Sequence, residues 1–86
     1  MKYEVELSVT ALEGLSGLDS GPAQRVRDKI DWLAENADVV RHEAMTGQFQ
    51  GMYRLRIGDY RAVYVLNREN RTITFDAIGH RREVYG

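Results

Sequence analysis

The sequence predicts an α+β domain: a small antiparallel sheet with two N-terminal helices packed on one face, in the order β-α-α-β-β-β. Three observations carry this prediction. The chain opens with alternating apolar and charged residues, continues with apolar residues at helical spacing, and returns to alternation around a Gly-Asp pair. Its 86 residues leave room for one sheet and two helices, so we expect a single domain over residues 1–86.

The first half of the chain contains the signals for one strand and two helices. After the alternating opening residues, Ser8 or Thr10 suits the N-cap of a short helix. Pro22 suits the first turn of a second helix that runs to about Asn36. One apolar stripe follows this second helix and consists of Val26, Ile30, Leu33, Ala34 and Ala37. Trp32 lies off the stripe, which places it at the edge of the core or against a partner.

The second half contains the signals for a hairpin and a final strand. Residues 38–51 show no clear period and are predicted to be a connector. Gly58-Asp59 then separates two alternating runs, which indicates a two-residue hairpin with Gly where a type II′ turn needs positive φ. This turn predicts the pairs Ile57 with Tyr60, Arg56 with Arg61, and Leu55 with Ala62. A polar turn over 67–71 leads to a last strand over 72–79, rich in β-branched and aromatic residues.

The predicted hairpin places three arginines on one face of the sheet. Directly opposed residues share a face, so Arg54, Arg56 and Arg61 emerge together, and facing like charges cost roughly a few tenths of a kcal/mol. All seven basic residues of 53–86 are Arg, and this segment has a formal charge of +3, against −4 for residues 1–52. Guanidinium groups bind phosphate through parallel N–H bonds. The pattern therefore favours a phosphate-bearing partner, and a solvated outer face is the alternative interpretation.

The residue inventory excludes several kinds of chemistry. The chain has no cysteine, so we expect a reduced, cytoplasmic protein without disulfide or thiolate chemistry. The two histidines are too far apart in the sequence to indicate a metal site, and no glycine-rich phosphate loop or membrane-spanning stretch is present. We expect no metal, no cofactor and no membrane partner. Metal-free phosphodiester chemistry remains: arginines bind the phosphate, Tyr or His moves protons, and the 2′-hydroxyl of RNA is the nucleophile.

Two motifs resemble the RelE branch of the RelE/ParE toxin superfamily. They are GMYRLRIGDYRAVY at residues 51–64 and GHRREVY at residues 79–85, with looser similarity over the whole chain. The resemblance implies a RelE-like fold and the toxin of a type II toxin–antitoxin system. It implies an mRNA interferase, an endoribonuclease that cleaves mRNA in the ribosomal A site by 2′-hydroxyl attack on the scissile phosphate and so inhibits translation.

The resemblance also implies partners and site residues. The partners are a cognate antitoxin, mRNA, the ribosome and, only through the antitoxin complex, operator DNA. We expect antitoxin contacts over the helices, including Trp32, and over the basic face near Arg54, Arg61 and Tyr85. The site residues of the family fall at Arg54, Arg56, Arg61, Arg81 (with Arg82 as the alternative) and Tyr85.

One departure from the family pattern changes the assignment of roles. Well-known members carry lysines at the positions of Arg54 and Arg56, and one of those lysines is a proposed general base. Arginine is effectively always protonated, so that role does not carry over. Our hypothesis is that His80 or Tyr85 transfers protons, while the arginines bind and stabilise the phosphate.

Two rival functions share these features. A ParE-like inhibitor of DNA gyrase has the same fold and a protein target, although its usual C-terminal pattern lacks the Arg-Arg-Glu-Val-Tyr ending. A non-catalytic binding module would keep the arginines and would not need the Tyr85 hydroxyl. A shared fold does not fix function.

Overall fold

The computed structural model describes residues 2–84 and contains two helices and a five-stranded mixed sheet. The elements are β1 (Glu4–Leu7), α1 (Val9–Ser16), α2 (Ser20–Asn36), β2 (Glu43–Ala44), β3 (Tyr53–Ile57), β4 (Tyr60–Asn67) and β5 (Thr72–His80). The strand order across the sheet is β1-β5-β4-β3-β2. The predicted α+β class and the order of the elements are confirmed. Among residues 2–84, no helix is both long enough and apolar enough to cross a membrane.

Two features of the sheet differ from the sequence prediction. β1 lies parallel to β5, with Glu4 opposite Thr72, so the sheet is mixed where an antiparallel sheet was predicted. Alternation indicates which side chains face the core and says nothing about the direction of the neighbouring strand. The predicted connector also contains the two-residue strand β2 and a single 3₁₀ turn, Gly47–Phe49, both too short to leave a period in the sequence.

The helix α1 begins at a serine cap and rests directly on β5. The Ser8 hydroxyl accepts a hydrogen bond from the Ala11 N–H at 3.0 Å and donates one to the carbonyl of Asp76 at 2.8 Å. Gly14 faces β5 so closely that a Cβ there would overlap the Ile78 carbonyl oxygen. Only glycine allows this separation between helix and strand.

The apolar stripe of α2 forms the centre of the core, as predicted. All five of its residues are at most 6% exposed. They pack against sheet residues that include Tyr64, Ile73 and Phe75. Burial of a side chain of this size stabilises a fold by about 1.5–3 kcal/mol. Both α-helices therefore cover the same face of the sheet, and among residues 2–84 no α-helix lies on the other face.

The predicted hairpin register is confirmed in full. Ile57 lies opposite Tyr60, Arg56 opposite Arg61, and Leu55 opposite Ala62. Gly58 has φ +59°, while Asp59 does not have positive φ, which matches a type II′ turn.

A β-bulge interrupts β5 next to β4. Val63 pairs with Ala77 and Tyr64 pairs with Phe75, so Asp76 is the extra residue on β5. Its carbonyl accepts the hydrogen bond from the Ser8 hydroxyl. Because alternation shifts by one residue at a bulge, the residues after Asp76 face the opposite way from an unbroken strand.

Candidate functional site

Three predicted arginines project together from the face of the sheet opposite the helices. Arg54 and Arg56 alternate with Leu55 and Ile57, which join the helix-side core. Arg61 lies directly opposite Arg56 and therefore shares its face. We call Arg54, Arg56 and Arg61 the arginine face.

A carboxylate that sequence reasoning missed lies among these arginines. The Nε and Nη2 atoms of Arg56 donate to the two carboxylate oxygens of Glu43, at 2.9 and 2.7 Å. Arg54 Nη1 lies 3.6 Å from the same carboxylate. Glu43 reaches this position because β2 pairs it opposite Arg54. The only signal in the sequence was an acidic residue in a stretch without a period, which was not enough to place it on the sheet.

The position of Glu43 is supported by the preceding residue, His42. His42 Nε2 lies 2.8 Å from the Ala37 carbonyl, which can only accept, so we assign the ring proton to Nε2. Nδ1 then accepts from the Tyr64 hydroxyl at 2.5 Å. Burial raises the pKa of Tyr64, so this hydroxyl keeps its proton at neutral pH. The connector is thus fixed to the core just before Glu43.

The charges on the arginine face keep Glu43 ionised. Hydrogen bonds from Arg56 lower the pKa of Glu43; desolvation opposes this effect, and the charges of Arg56, Arg54 and Arg61 add to it. In turn, the hydrogen bonds and charge of Glu43 raise the pKa of Arg56. A carboxylate that accepts two hydrogen bonds from one guanidinium group presents two anionic oxygens to that group, as a phosphate does. The face is therefore built to hold an oxyanion.

The hairpin turn connects the arginine face to the C-terminal segment. Arg61 Nη1 donates to the carbonyls of Gly58 and Tyr60, at 2.8 and 2.9 Å. The backbone N–H of Arg81 donates to the carbonyl of Asp59 in the same turn, at 2.8 Å. The backbone of Arg81 therefore lies beside the same turn whose carbonyls bind the Arg61 guanidinium.

The chain then crosses onto the face that carries the arginines. Val84 is buried against an apolar cluster formed with Met45, Val63 and Ala77. Val63 is opposite Arg54, so this cluster lies on the arginine side of the sheet. Tyr85, the predicted catalytic tyrosine, lies outside the described residues. Its neighbour Val84 is on the arginine side.

His80 lies on the other side of the sheet from the arginine face. It pairs with Tyr60, and the two rings meet edge to face with centroids 5.8 Å apart. Its side chain lines a cleft of about 410 Å³ beside α1, together with Glu13 and Leu18. Its Nδ1 accepts from the backbone N–H of Arg82 at 3.2 Å. The bulge at Asp76 causes this placement, because an unbroken strand would put His80 on the same side as Thr74.

A family comparison identifies the class of protein. Residues 5–85 match the model of a family described as the ParE toxin of the type II toxin–antitoxin system parDE. The chain belongs to this toxin family. The toxin is thus a member of the RelE/ParE superfamily, as the resemblance of its two motifs predicted. No curated protein sequence matches it.

Several solved structures have the same fold. A chain of the RelBE2 toxin–antitoxin complex from Mycobacterium tuberculosis superposes with a TM-score of 0.83 at 22% identity, covering 94% of the toxin and 100% of that chain. The archaeal RelE–RelB complex from Pyrococcus horikoshii OT3 matches with a TM-score of 0.74 at 26% identity, covering 94% and 97%. The isolated RelE toxin of E. coli matches with a TM-score of 0.75 at 18% identity, covering 91% and 83%.

Proposed function

We propose that the toxin is a RelE-type mRNA interferase that cleaves translated mRNA in the ribosomal A site without a metal ion. The observation that carries this proposal is the cluster of three arginines around the Glu43 carboxylate. The two carboxylate oxygens accept hydrogen bonds from the Arg56 guanidinium in the way that two phosphate oxygens would. An RNA phosphate can therefore replace it on the same guanidinium groups, at a cytoplasmic site that needs no cofactor.

The proposed reaction is attack of the ribose 2′-hydroxyl on the adjacent phosphate. The 2′-oxygen forms a bond to phosphorus and the bond from phosphorus to the 5′-oxygen breaks. The products end in a 2′,3′-cyclic phosphate and a 5′-hydroxyl. Arg54, Arg56, Arg61 and Arg81 stabilise the negative charge that accumulates on the phosphate oxygens in the transition state. The protein supplies no nucleophile.

Glu43 is the proposed general base that takes the proton of the 2′-hydroxyl. It is a carboxylate in contact with Arg54 and Arg56, and arginine itself cannot act as a base. Its pKa is held low mainly by the hydrogen bonds from Arg56. When the RNA phosphate takes over Arg56, this cause disappears and the basicity of Glu43 rises. Substrate binding thus prepares the base.

The remaining sequence-predicted residues receive separate roles. Tyr85 is the proposed acid that protonates the leaving 5′-oxygen, because its hydroxyl can donate a proton and the preceding residue, Val84, packs on the arginine side. His80 lies on the helix side and is proposed to position the C-terminal turn through the N–H of Arg82. Arg82 is exposed and is proposed to bind the RNA backbone outside the scissile phosphate.

Inducible expression in bacteria with mapping of mRNA ends by primer extension tests this proposal. Wild type should stop translation and produce new mRNA ends. Glu43→Gln should reduce cleavage by about 10²–10⁴-fold, the usual contribution of a general base. His80→Gln should retain more activity than Glu43→Gln. Full cleavage by Glu43→Gln would exclude Glu43 as the base, and intact mRNA in the wild-type culture would overturn the proposed function itself.

The family model favours a second candidate, a ParE-like inhibitor of DNA gyrase. The same experiment separates the two functions. Gyrase inhibition would cause DNA damage while mRNA stays intact, and Glu43→Gln would not abolish it. A non-catalytic binding module would produce neither effect.

A cognate antitoxin is the proposed protein partner, since two of the matching structures are toxin–antitoxin complexes. The helix α1 exposes Val9 (75%) and Leu12 (52%) one turn apart, a small apolar surface suited to an antitoxin segment. Leu12→Asp should weaken antitoxin binding in a titration and leave mRNA cleavage unchanged. Undiminished antitoxin binding by this variant would place the contact elsewhere.

A further inference from the structure

We infer that the groove between α2 and β3 binds a flanking segment of the RNA substrate, with one base stacked on Trp32. The inference rests on the proposed ribonuclease function and extends the substrate site beyond the scissile phosphate. The groove has a volume of about 270 Å³. The charged and aromatic residues of its lining include Lys29, Trp32, Arg41, Glu43, Arg54 and Arg56.

The charge of the groove suits a polyanion. Its lining contains four cationic side chains against one carboxylate, which gives a formal charge of +3. The carboxylate, Glu43, is already bound by Arg56 through two hydrogen bonds. Lys29 and Arg41 extend the positive charge from the sheet to α2 and the connector. An RNA strand that leaves the arginine face therefore meets further cations along this path.

Trp32 supplies a surface for a base between these cations. Trp32, the one tryptophan of the chain, is 43% exposed despite its large apolar ring. Lys29 Nζ lies 4.1 Å from the centroid of its ring, and the Asn36 amide donates to its backbone carbonyl at 2.8 Å. Single-stranded nucleic acids are held by aromatic rings that stack on bases beside cations that follow the backbone. An exposed aromatic ring among cations is the arrangement that binds the bases and backbone of a single strand, so the combination favours RNA.

The groove and the arginine face form one continuous surface. Glu43, Arg54 and Arg56 line the groove and also belong to the proposed site of cleavage. Within residues 2–84, no strand pairs with the outer edge of β3 beyond Arg54, so no neighbouring strand separates the two regions. A single strand of RNA can pass over this edge from the scissile phosphate to Trp32.

Binding of a short single-stranded RNA with 2′-O-methyl riboses tests the inference, because this probe has no free 2′-hydroxyl and is not cleaved. The fluorescence of Trp32 reports on the groove, since the chain has a single tryptophan. We expect RNA to quench this fluorescence. Anisotropy of labelled RNA should show that Trp32→Ala weakens binding about tenfold and that Trp32→Phe restores part of the affinity.

A matched pair of charge variants separates a contact in the groove from a change in overall charge. Arg41→Gln should weaken binding and reduce the salt dependence by about 0.7 in the logarithmic slope, as expected for one lost phosphate contact with a single strand. Lys2→Gln makes the same change of net charge outside the groove and should bind like wild type. Circular dichroism confirms that each variant is folded.

The outcomes distinguish failure of this inference from failure of the proposed function. If wild type cleaves mRNA in cells while RNA does not change Trp32 fluorescence, the inference is wrong and the function stands. If the toxin neither binds this RNA nor cleaves mRNA, both are wrong. If Trp32→Ala and Arg41→Gln bind RNA normally but lose affinity for the antitoxin, the groove is a protein-docking surface and the inference is overturned.

Discussion

Two carboxylates of this toxin, Asp38 and Glu43, each lie close to two arginines, but only Asp38 also accepts a hydrogen bond from a tyrosine. Asp38 lies 3.1 Å from Arg71 Nη1 and 3.8 Å from Arg68 Nη1. It also accepts a hydrogen bond from the Tyr3 hydroxyl at 2.7 Å, and the Arg71 guanidinium lies 4.4 Å from the centroid of the Tyr3 ring. This cluster connects the start of β1, the segment after α2 and the turn before β5. This cluster has a structural role, and we call its residues Tyr3, Asp38, Arg68 and Arg71 the clasp.

The Glu43 cluster has the same charges in a different setting. Glu43 and Asp38 are similarly exposed, at 41% and 50% for their side chains, so exposure does not distinguish them. The difference is the third partner: Asp38 has the Tyr3 hydroxyl, whereas Glu43 has an additional arginine, Arg61, contributing to its low pKa. A carboxylate bound by a third structural donor holds segments together. A carboxylate surrounded by excess positive charge can give way to another anion.

The largest expected difference between the clusters is in catalysis. Arg56→Ala and Arg61→Ala should each reduce mRNA cleavage by about 10²–10³-fold, the typical cost of removing one donor to a developing oxyanion. Arg68→Ala removes the same charge from the Asp38 cluster and should cleave normally. Cleavage rates of purified variants on programmed ribosomes measure this difference. Equal losses for Arg56→Ala and Arg68→Ala would mean that the arginines act only through net charge.

The second difference concerns stability. Asp38→Asn removes the acceptor that connects Tyr3, Arg68 and Arg71, so its thermal midpoint should fall while its cleavage rate stays near wild type. Glu43→Gln should show the opposite combination, with a midpoint close to wild type and little cleavage. Thermal unfolding beside a cleavage assay tests both. A greater loss of stability in Glu43→Gln than in Asp38→Asn would remove the distinction between clasp and site.

The backbone conformation of Arg71 in the clasp allows a further test of stability, with a smaller expected effect. Arg71 has φ +52°, a left-handed conformation that residues other than glycine adopt at a cost. Arg71→Gly and Arg71→Ala both lose the contact with Asp38 and the ring of Tyr3. The glycine variant should be more stable than the alanine variant by about 1 kcal/mol. Denaturant unfolding measures this difference, and equal stabilities would show that the backbone relaxes when the arginine is lost.

The smallest expected effect is in the acid dependence of stability. Hydrogen bonds from Tyr3 and Arg71 lower the pKa of Asp38, and those from Arg56 lower the pKa of Glu43. The folded pKa values are below the unfolded ones, so this stabilisation is complete above the ordinary values of 3.8 and 4.5 and is lost as pH falls through the folded values. Both groups are exposed, which keeps the effect modest.

Unfolding curves from neutral pH to about pH 3 measure that dependence. The free energy of unfolding should decline less steeply with acid in Asp38→Asn than in wild type. A steeper decline in this variant would mean that Asp38 is not stabilised as an anion in the folded toxin.

Local signals predicted much of this fold. The cap of α1, the α2 stripe and the Gly58-Asp59 hairpin each depend on residues a few positions apart. The stripe and the hairpin are confirmed, and Ser8 is the cap of the two candidates, Ser8 and Thr10. The hairpin also brought Arg54, Arg56 and Arg61 together correctly. A register set by a two-residue turn leaves no freedom in which residues face each other.

The missed features depend on contacts between distant segments. Glu43 joins the arginine face only because a two-residue strand pairs there, and so short a strand has no period to detect. The side of the sheet taken by His80 is set by the bulge at Asp76, whose carbonyl is held by the Ser8 hydroxyl. Simple alternation would have placed His80 beside the arginines. One extra residue therefore decided which neighbours this histidine has.

The parallel pairing of β1 with β5 also determines when the toxin can fold during its synthesis. Glu6 and Thr74 lie opposite each other and are 68 positions apart in the chain. Within residues 2–84, β1 pairs only with β5, so β1 has no sheet neighbour until β5, far later in the chain, has been synthesised. Because the same strand also brings Arg81 to the hairpin turn, the proposed site is assembled only after β5 has formed.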